Sequence, residues 1–138
     1  MVFEDEIKIK TKGDDDIINI TDNVNDIVKK SKIKDGIALI FAVGSTCGIT
    51  TIEYEPNLIK DFQEFLERIA PRDKNYHHDN TWGDANGFSH LRASLIGQSF
   101  CCSVKNGDLI LGQWQQIVLC DFDNRPRERK IIIKIMGL

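Results

Sequence analysis

What the chain lacks narrows its class before any motif is read. Its four cysteines, Cys47, Cys101, Cys102 and Cys120, form no CxxC pair, so nothing indicates a zinc knuckle. Adjacent Cys101 and Cys102 should point to opposite faces of a strand. Free thiols packed as small hydrophobes account for the set. There is no basic excess either: a net charge of −3 offers no stripe for nucleic acid. No apolar run approaches the roughly 20 residues of a membrane span, and the N-terminus MVFEDEIKIK is acidic and alternating rather than signal-like. A cytoplasmic protein with no nucleic-acid or membrane partner is expected. Internal repeats, low-complexity segments and linkers are also missing. What remains, 138 residues at 41% hydrophobic and 28% charged, suits one domain spanning residues 1–138.

The periodicities are mostly those of strands. Phe3 to Thr11 sets Phe3, Ile7 and Ile9 against Glu4, Glu6, Lys8 and Lys10, a half-buried strand with one wet face. Gly13 and Asp14–Asp16 read as a solvated hairpin tip, followed by a short strand, Ile17 to Ile20. Thr21 or Asp22 should cap a helix carrying Val24, Ile27 and Val28. Gly36 to Val43, GIALIFAV, is an unbroken apolar run and reads as a strand covered on both faces. Ile49 to Tyr54 is a further strand. Pro56 opens a helix with the stripe Leu58, Phe62, Phe65, Leu66 and Ile69, and Pro71 stops it. Later strands are expected at Gln98–Val104, Leu109–Leu111, Trp114–Phe122 and Lys130–Met136, the first two joined at the hairpin signal Asn106-Gly107. The class is therefore α+β: one compact domain, mostly antiparallel sheet, with two or three helices.

Between the helical stripe and the later strands lies YHHDNTWGDANGFSHLRASLIG, Tyr76 to Gly97, which holds all three histidines, His77, His78 and His90. Long polar loops in small domains are uncommon and tend to be functional. Imidazole and carboxylate are the usual ligands for zinc and related divalent metals. The second half turns helical, capped by Asn86 or Ser89, with Phe88, Leu91 and Leu95 on the apolar face. His90 projects from the other side among the small residues Ala93, Ser94 and Gly97. His78 can fold back toward it, so the two are expected to share one site.

Two segments suit an anion. Gly44, Ser45, Thr46 and Gly48 are small or hydroxylated and leave backbone N–H groups open. The expected loop Asp123–Lys130 carries Arg125, Arg127 and Arg129, whose forks match phosphate.

Together these motifs resemble the YjbQ-like family, also named secondary thiamine-phosphate synthase enzymes. The likeness rests on GSTCGITTIEYEP, the YHHD loop, GFSHLRASLIG and LILGQWQQIVLCDFDNRPRERK. It implies a barrel-like or sandwich-like α+β fold assembled as a homotrimer, with Glu53, His78, Asp79 and His90 as site residues and Gln115 and Arg129 matching later motifs. The family usually has a histidine where this chain has Gly44, so Glu53 becomes the expected third ligand beside His78 and His90 for a divalent metal, Zn or Mg. The implied activity joins a thiazole phosphate to a pyrimidine methyl diphosphate with release of diphosphate. A metal-assisted hydrolase and a non-catalytic protein binding a small phosphorylated molecule are the alternatives. In each case Ser45, Thr46, Gln115, Arg127 and Arg129 are the expected substrate contacts.

Overall fold

The computed structural model describes all residues, 1–138. In chain order the elements are β1 (Val2–Thr11), β2 (Asp16–Asn19), α1 (Thr21–Ser31), β3 (Asp35–Val43), β4 (Cys47–Ile52), α2 (Pro56–Ile69), α3 (Asp79–Trp82), α4 (Gly87–Ile96), β5 (Ser99–Lys105), β6 (Asp108–Leu109), β7 (Gln116–Asp121) and β8 (Arg127–Gly137). All strand pairs are antiparallel and form two sheets, ordered β1-β8-β3-β5-β6 and β2-β7-β4. This is the α+β class expected. The helices comprise three of ten residues or more and the single turn α3.

Local chemistry explains most of the elements. β1 alternates as its sequence does, with Phe3, Ile7 and Ile9 packed on the larger core cluster and Glu4, Glu6, Lys8 and Lys10 outside. Asn106 and Gly107 both take positive φ, 54° and 82°, the conformation a two-residue primed turn requires. Pro56 fills the first turn of α2, where no N–H is needed, and the Glu55 carboxylate accepts from the N–H groups of Asn57 and Leu58. In α1, neither Thr21 nor Asp22 caps: the cap position is Ile20, and Thr21 Oγ1 donates to Asn19 Oδ1 instead.

The larger core lies between the two sheets and α1, built on Ile131, Ile133 and Ile135 of β8, Ala38, Ile40 and Ala42 of β3, and Val24 and Val28 of α1. A smaller cluster, with Ile17, Val118, Cys120, Phe122, Leu66 and Ala93, packs the second sheet against α2 and α4.

Several expectations are corrected by this packing. The apolar run of β3 is covered on one face only: Ala38, Ile40 and Ala42 are buried, whereas Ile37, Leu39, Phe41 and Val43 are 38–50% exposed. The strand covered most fully on both faces is β7, the central strand of the sheet that lies between the two clusters. Asp15 is no solvated hairpin tip, for it is buried and paired with Arg92. The stripe of α2 buries only Leu66 fully, with Phe65 and Ile69 turned outward. In α4, Leu91 and Leu95 are exposed and the buried face is Phe88, Ser89, Arg92 and Ala93. The expected loop 123–130 is largely strand: pairing with β1 extends β8 back to Arg127, opposite Thr11.

Candidate functional site

That extension of β8 is what assembles the site. Arg127 and Arg129 stand two residues apart on one strand, so their side chains leave the same face. They meet the β3–β4 turn, Gly44 to Thr46, and the polar segment carrying His78 and His90. Together with Trp82, Asp84 and Asn86, these groups line a cavity of about 370 Å³. A smaller hollow of about 130 Å³ adjoins it, sharing Asp84, Asn86 and Arg127 and adding Asn124 and Arg125. Two other depressions, one of about 290 Å³ beside α1 and one of about 450 Å³ at the start of α2, hold neither histidine nor arginine. Chemistry, rather than size, selects the site.

The imidazoles come together as expected. Their ring centroids lie 4.6 Å apart, tilted by 47°, with His78 at the cap of α3 and His90 in the first turn of α4. Burial, and then the neighbouring His78, pushes the His90 pKa below its ordinary value, while Asp123 and Asp84 pull it partly back. His90 is thereby held toward the neutral form. His78 Nδ1 is buried with no hydrogen-bond partner.

The basic wall is anchored by two carboxylates that sequence reasoning passed over, Asp121 and Asp123. Arg129 is 7% exposed. Its Nε donates to Asp121 Oδ2 at 2.8 Å, and its Nη2 donates to Asp121 Oδ1 at 2.8 Å and to Thr46 Oγ1 at 2.6 Å. Its remaining nitrogen, Nη1, makes no hydrogen bond within the chain and lies beside Gly44, where the side chain lines the cavity. Burial is the largest single influence and opposes the Arg129 charge, but the bonds to Asp121 and the nearby Cys47, Asp121 and Asp123 together raise the pKa. Asp123 Oδ2 accepts from Arg127 Nε at 2.8 Å and Thr46 Oγ1 at 3.1 Å, and its Oδ1 accepts from Asn86 Nδ2. Burial works to raise the Asp123 pKa. The Asn124 N–H, Asn86 and Arg127 overcome that and hold the carboxyl below the usual range. The readable signal was the spacing in DFDNRPRER: two aspartates at i, i+2 followed by three arginines at alternate positions.

Other expected residues lie elsewhere. Glu53 sits past the end of β4, exposed and outside the cavity lining, because β4 ends at Ile52 and does not lead into the pocket. Gln115 is also remote, its amide donating to Thr51 Oγ1 at 3.1 Å and accepting from Gly112 N–H at 3.0 Å. Asp79 braces the loop, its Oδ2 accepting from Tyr76 N–H at 3.0 Å. Ser45 and Thr46 are at the cavity, although Thr46 spends its hydroxyl on Asp123 and Arg129. No three His, Cys, Asp or Glu side chains converge as a metal set. The expected triad of His78, His90 and Glu53 is thus not assembled within the chain. Gly44 supplies no ligand, and the nearest side chain there is the cationic Arg129.

Comparison with known proteins places the fold. The family described as "UPF0047 protein YjbQ-like" matches residues 5–138. A UPF0047 protein of Archaeoglobus fulgidus is 37% identical over 131 residues, covering 95% of this chain and 99% of that protein. The crystal structure of a YbjQ-like protein of unknown function from Sulfolobus solfataricus superposes with a TM-score of 0.94 at 34% identity, over 100% of this chain and 99% of that one. An uncharacterised conserved protein from Clostridium acetobutylicum gives 0.88 at 37% identity, over 96% and 99%. With a family match from residue 5 to residue 138 and relatives this similar along nearly their whole lengths, the chain belongs to the UPF0047 family of YjbQ-like proteins.

Proposed function

We propose that the chain is an enzyme acting on a small phosphorylated metabolite, with the phosphate at Arg129 and Arg127 and proton transfer at the His78–His90 pair. The observation that carries this reading is the uncommitted Nη1 of a buried, doubly anchored arginine beside a cavity. A guanidinium fixed by a carboxylate has little orientational freedom left to lose, so a charge-assisted bond from it to a phosphate oxygen is favourable. A neutral His90 within the same cavity is suited to accept or return a proton near neutral pH. Calorimetry with inorganic phosphate tests the first half: wild-type protein should bind it and Arg129→Gln should not. A wild-type protein that binds no phosphate sinks the reading. Incubation with a thiazole phosphate and a pyrimidine methyl diphosphate tests the transfer implied by the family resemblance. Release of diphosphate supports transfer, whereas orthophosphate alone assigns the chain as a hydrolase.

A second reading is favoured by the imidazole pair itself. Two rings 4.6 Å apart, one kept toward neutrality and one with an unpartnered buried nitrogen, suit two ligands of a divalent metal whose other positions come from outside the chain. Zinc titration checks it: His78→Ala and His90→Ala should each abolish uptake while the fold persists. Binding should also weaken as pH falls through the imidazole range.

Self-association belongs to the same proposal. The bare face of β3 exposes Ile37, Leu39, Phe41 and Val43, flanked on β8 by Met136 and Ile132 with Lys134 between them, and exposed apolar residues of this kind commonly mark protein interfaces. A homotrimer is expected by light scattering. A monomer mass at micromolar concentration rules it out.

A further inference from the structure

Gly44 sits where the cavity meets Nη1, the one Arg129 nitrogen without a partner. A Cβ built on this residue would stand 2.8 Å from Arg129 Nη1 and 2.9 Å from Cys47 Sγ. Both contacts are closer than a carbon side chain tolerates without movement. Neither neighbour yields easily. Cys47 is fully buried in the larger core cluster. Arg129 is fixed through Nε and Nη2 on Asp121 and through Nη2 on Thr46. The backbone itself does not demand glycine, because Gly44 is absent from the residues with positive φ. What a side chain here would meet is Arg129 Nη1 and Cys47 Sγ.

From this we infer that Gly44 is a specificity-determining residue: its missing side chain leaves Arg129 Nη1 uncovered, so that an anionic oxygen of the ligand can bind it directly. The inference rests on the phosphate reading above and adds to it the residue that keeps the contact open. It also accounts for the way the guanidinium is spent. Two of its nitrogens hold the fold, and the third is left for the ligand by a position with no side chain. Burial pushes the Cys47 thiol up despite the nearby Arg129, so Cys47 stays a neutral thiol and does not compete with the ligand for that charge. Ser45 and Arg127 line the same cavity and can complete the anion's shell, but neither depends on residue 44 being glycine.

A double-mutant cycle read by calorimetry with inorganic phosphate tests this. Gly44→Ala should weaken phosphate at least tenfold, and Arg129→Gln should remove measurable binding. Phenyl phosphate, which adds an apolar ring to occupy the cavity, supplies the residual affinity needed to complete the cycle in the Arg129→Gln background. There Gly44→Ala should have no further effect, since the nitrogen it covers is gone. Histidine ring resonances at His78 and His90 should keep their wild-type chemical shifts, separating a covered arginine from a disturbed site. Should Gly44→Ala fail to fold, Gly44→Ala with Cys47→Ala removes the Sγ contact and leaves the Arg129 contact to be measured. Wild-type affinity in the folded alanine variant overturns the inference while leaving the phosphate reading intact. An equal loss with and without Arg129 overturns it too, because residue 44 would then act through shape alone. No phosphate binding by wild type overturns both.

Discussion

Arg92 and Arg129 are both buried arginines on elements that build the site, and they are used in opposite ways. Arg92, fully buried on α4, spends every nitrogen: Nε and Nη2 on Ala70 O at 3.1 and 2.8 Å, Nη1 on Asp15 Oδ2 at 2.6 Å, and Nη2 also on Glu67. Its guanidinium also lies 5.0 Å from the Phe88 ring centroid. It ties the acidic turn, the end of α2 and α4 into one unit. Arg129 is held almost as firmly but keeps Nη1 unpaired at the edge of a cavity. Burial of an arginine therefore does not mark a site. The difference lies in whether its donors are exhausted, because a donor left unpaired at a cavity edge is free to meet a ligand.

The largest expected effect falls on Arg92. Replacing it with alanine leaves the buried Asp15 only the more distant, partly exposed Arg72 at 3.3 Å, and breaking a buried pair costs about 3–5 kcal/mol. Urea denaturation should show that loss, while the remaining folded protein keeps its phosphate affinity. A stability change near zero would mean that the network is not what joins the three elements. Arg129→Gln should move the other observable, removing measurable phosphate binding through loss of a charged hydrogen bond worth about 1.5–3 kcal/mol. If both variants lose phosphate equally, the contrast between the two arginines is wrong.

A subtler effect is expected with pH. The folded-state pKa of His90 lies below its ordinary value of 6.5. Between the two, the unfolded chain binds more protons, so stability rises with pH across that window. His90's contribution is complete above about pH 6.5 and is lost as pH falls through its folded value. The ring proton resonance of His90 should titrate low, and His78→Gln should move it upward by removing the second-largest cause of the shift. A His90 that titrates at or above 6.5 would contradict a paired, half-desolvated imidazole. The smallest effect belongs to Arg125→Ala: an exposed side chain in the adjoining hollow, whose loss should leave the melting temperature unchanged and lower phosphate affinity less than Arg129→Gln does.

Much of the fold was legible because its signals are local. The alternation of β1, the Asn106-Gly107 turn and the Pro56 start of α2 depend on residues within a few positions of one another. The pairing of His78 with His90 was also readable, since one loop carries both. Other features were not. GIALIFAV and QIVLCD are similarly apolar, yet only the second lies between two clusters. Leu91 and Leu95 looked like core, yet the helix buries Arg92 instead, because Asp15, Glu67 and Ala70 give the guanidinium partners from distant parts of the chain. Glu53 was expected at the site from the motif that carries it, but the path of the backbone after Ile52 takes it away.

By itself, then, the sequence determined the class, the strand and helix inventory in outline, and the residue types able to bind a phosphate or shift a proton. These follow from side-chain period and from chemistry that a residue carries wherever it lies. Tertiary structure alone decided which face of an apolar strand is covered, how many donors each buried arginine has left, and what a side chain at residue 44 would meet. Those depend on contacts among positions as far apart as Gly44, Asp121 and Arg129. Hydrogen-bond saturation and close packing act over a few ångströms of space, whatever the separation along the chain.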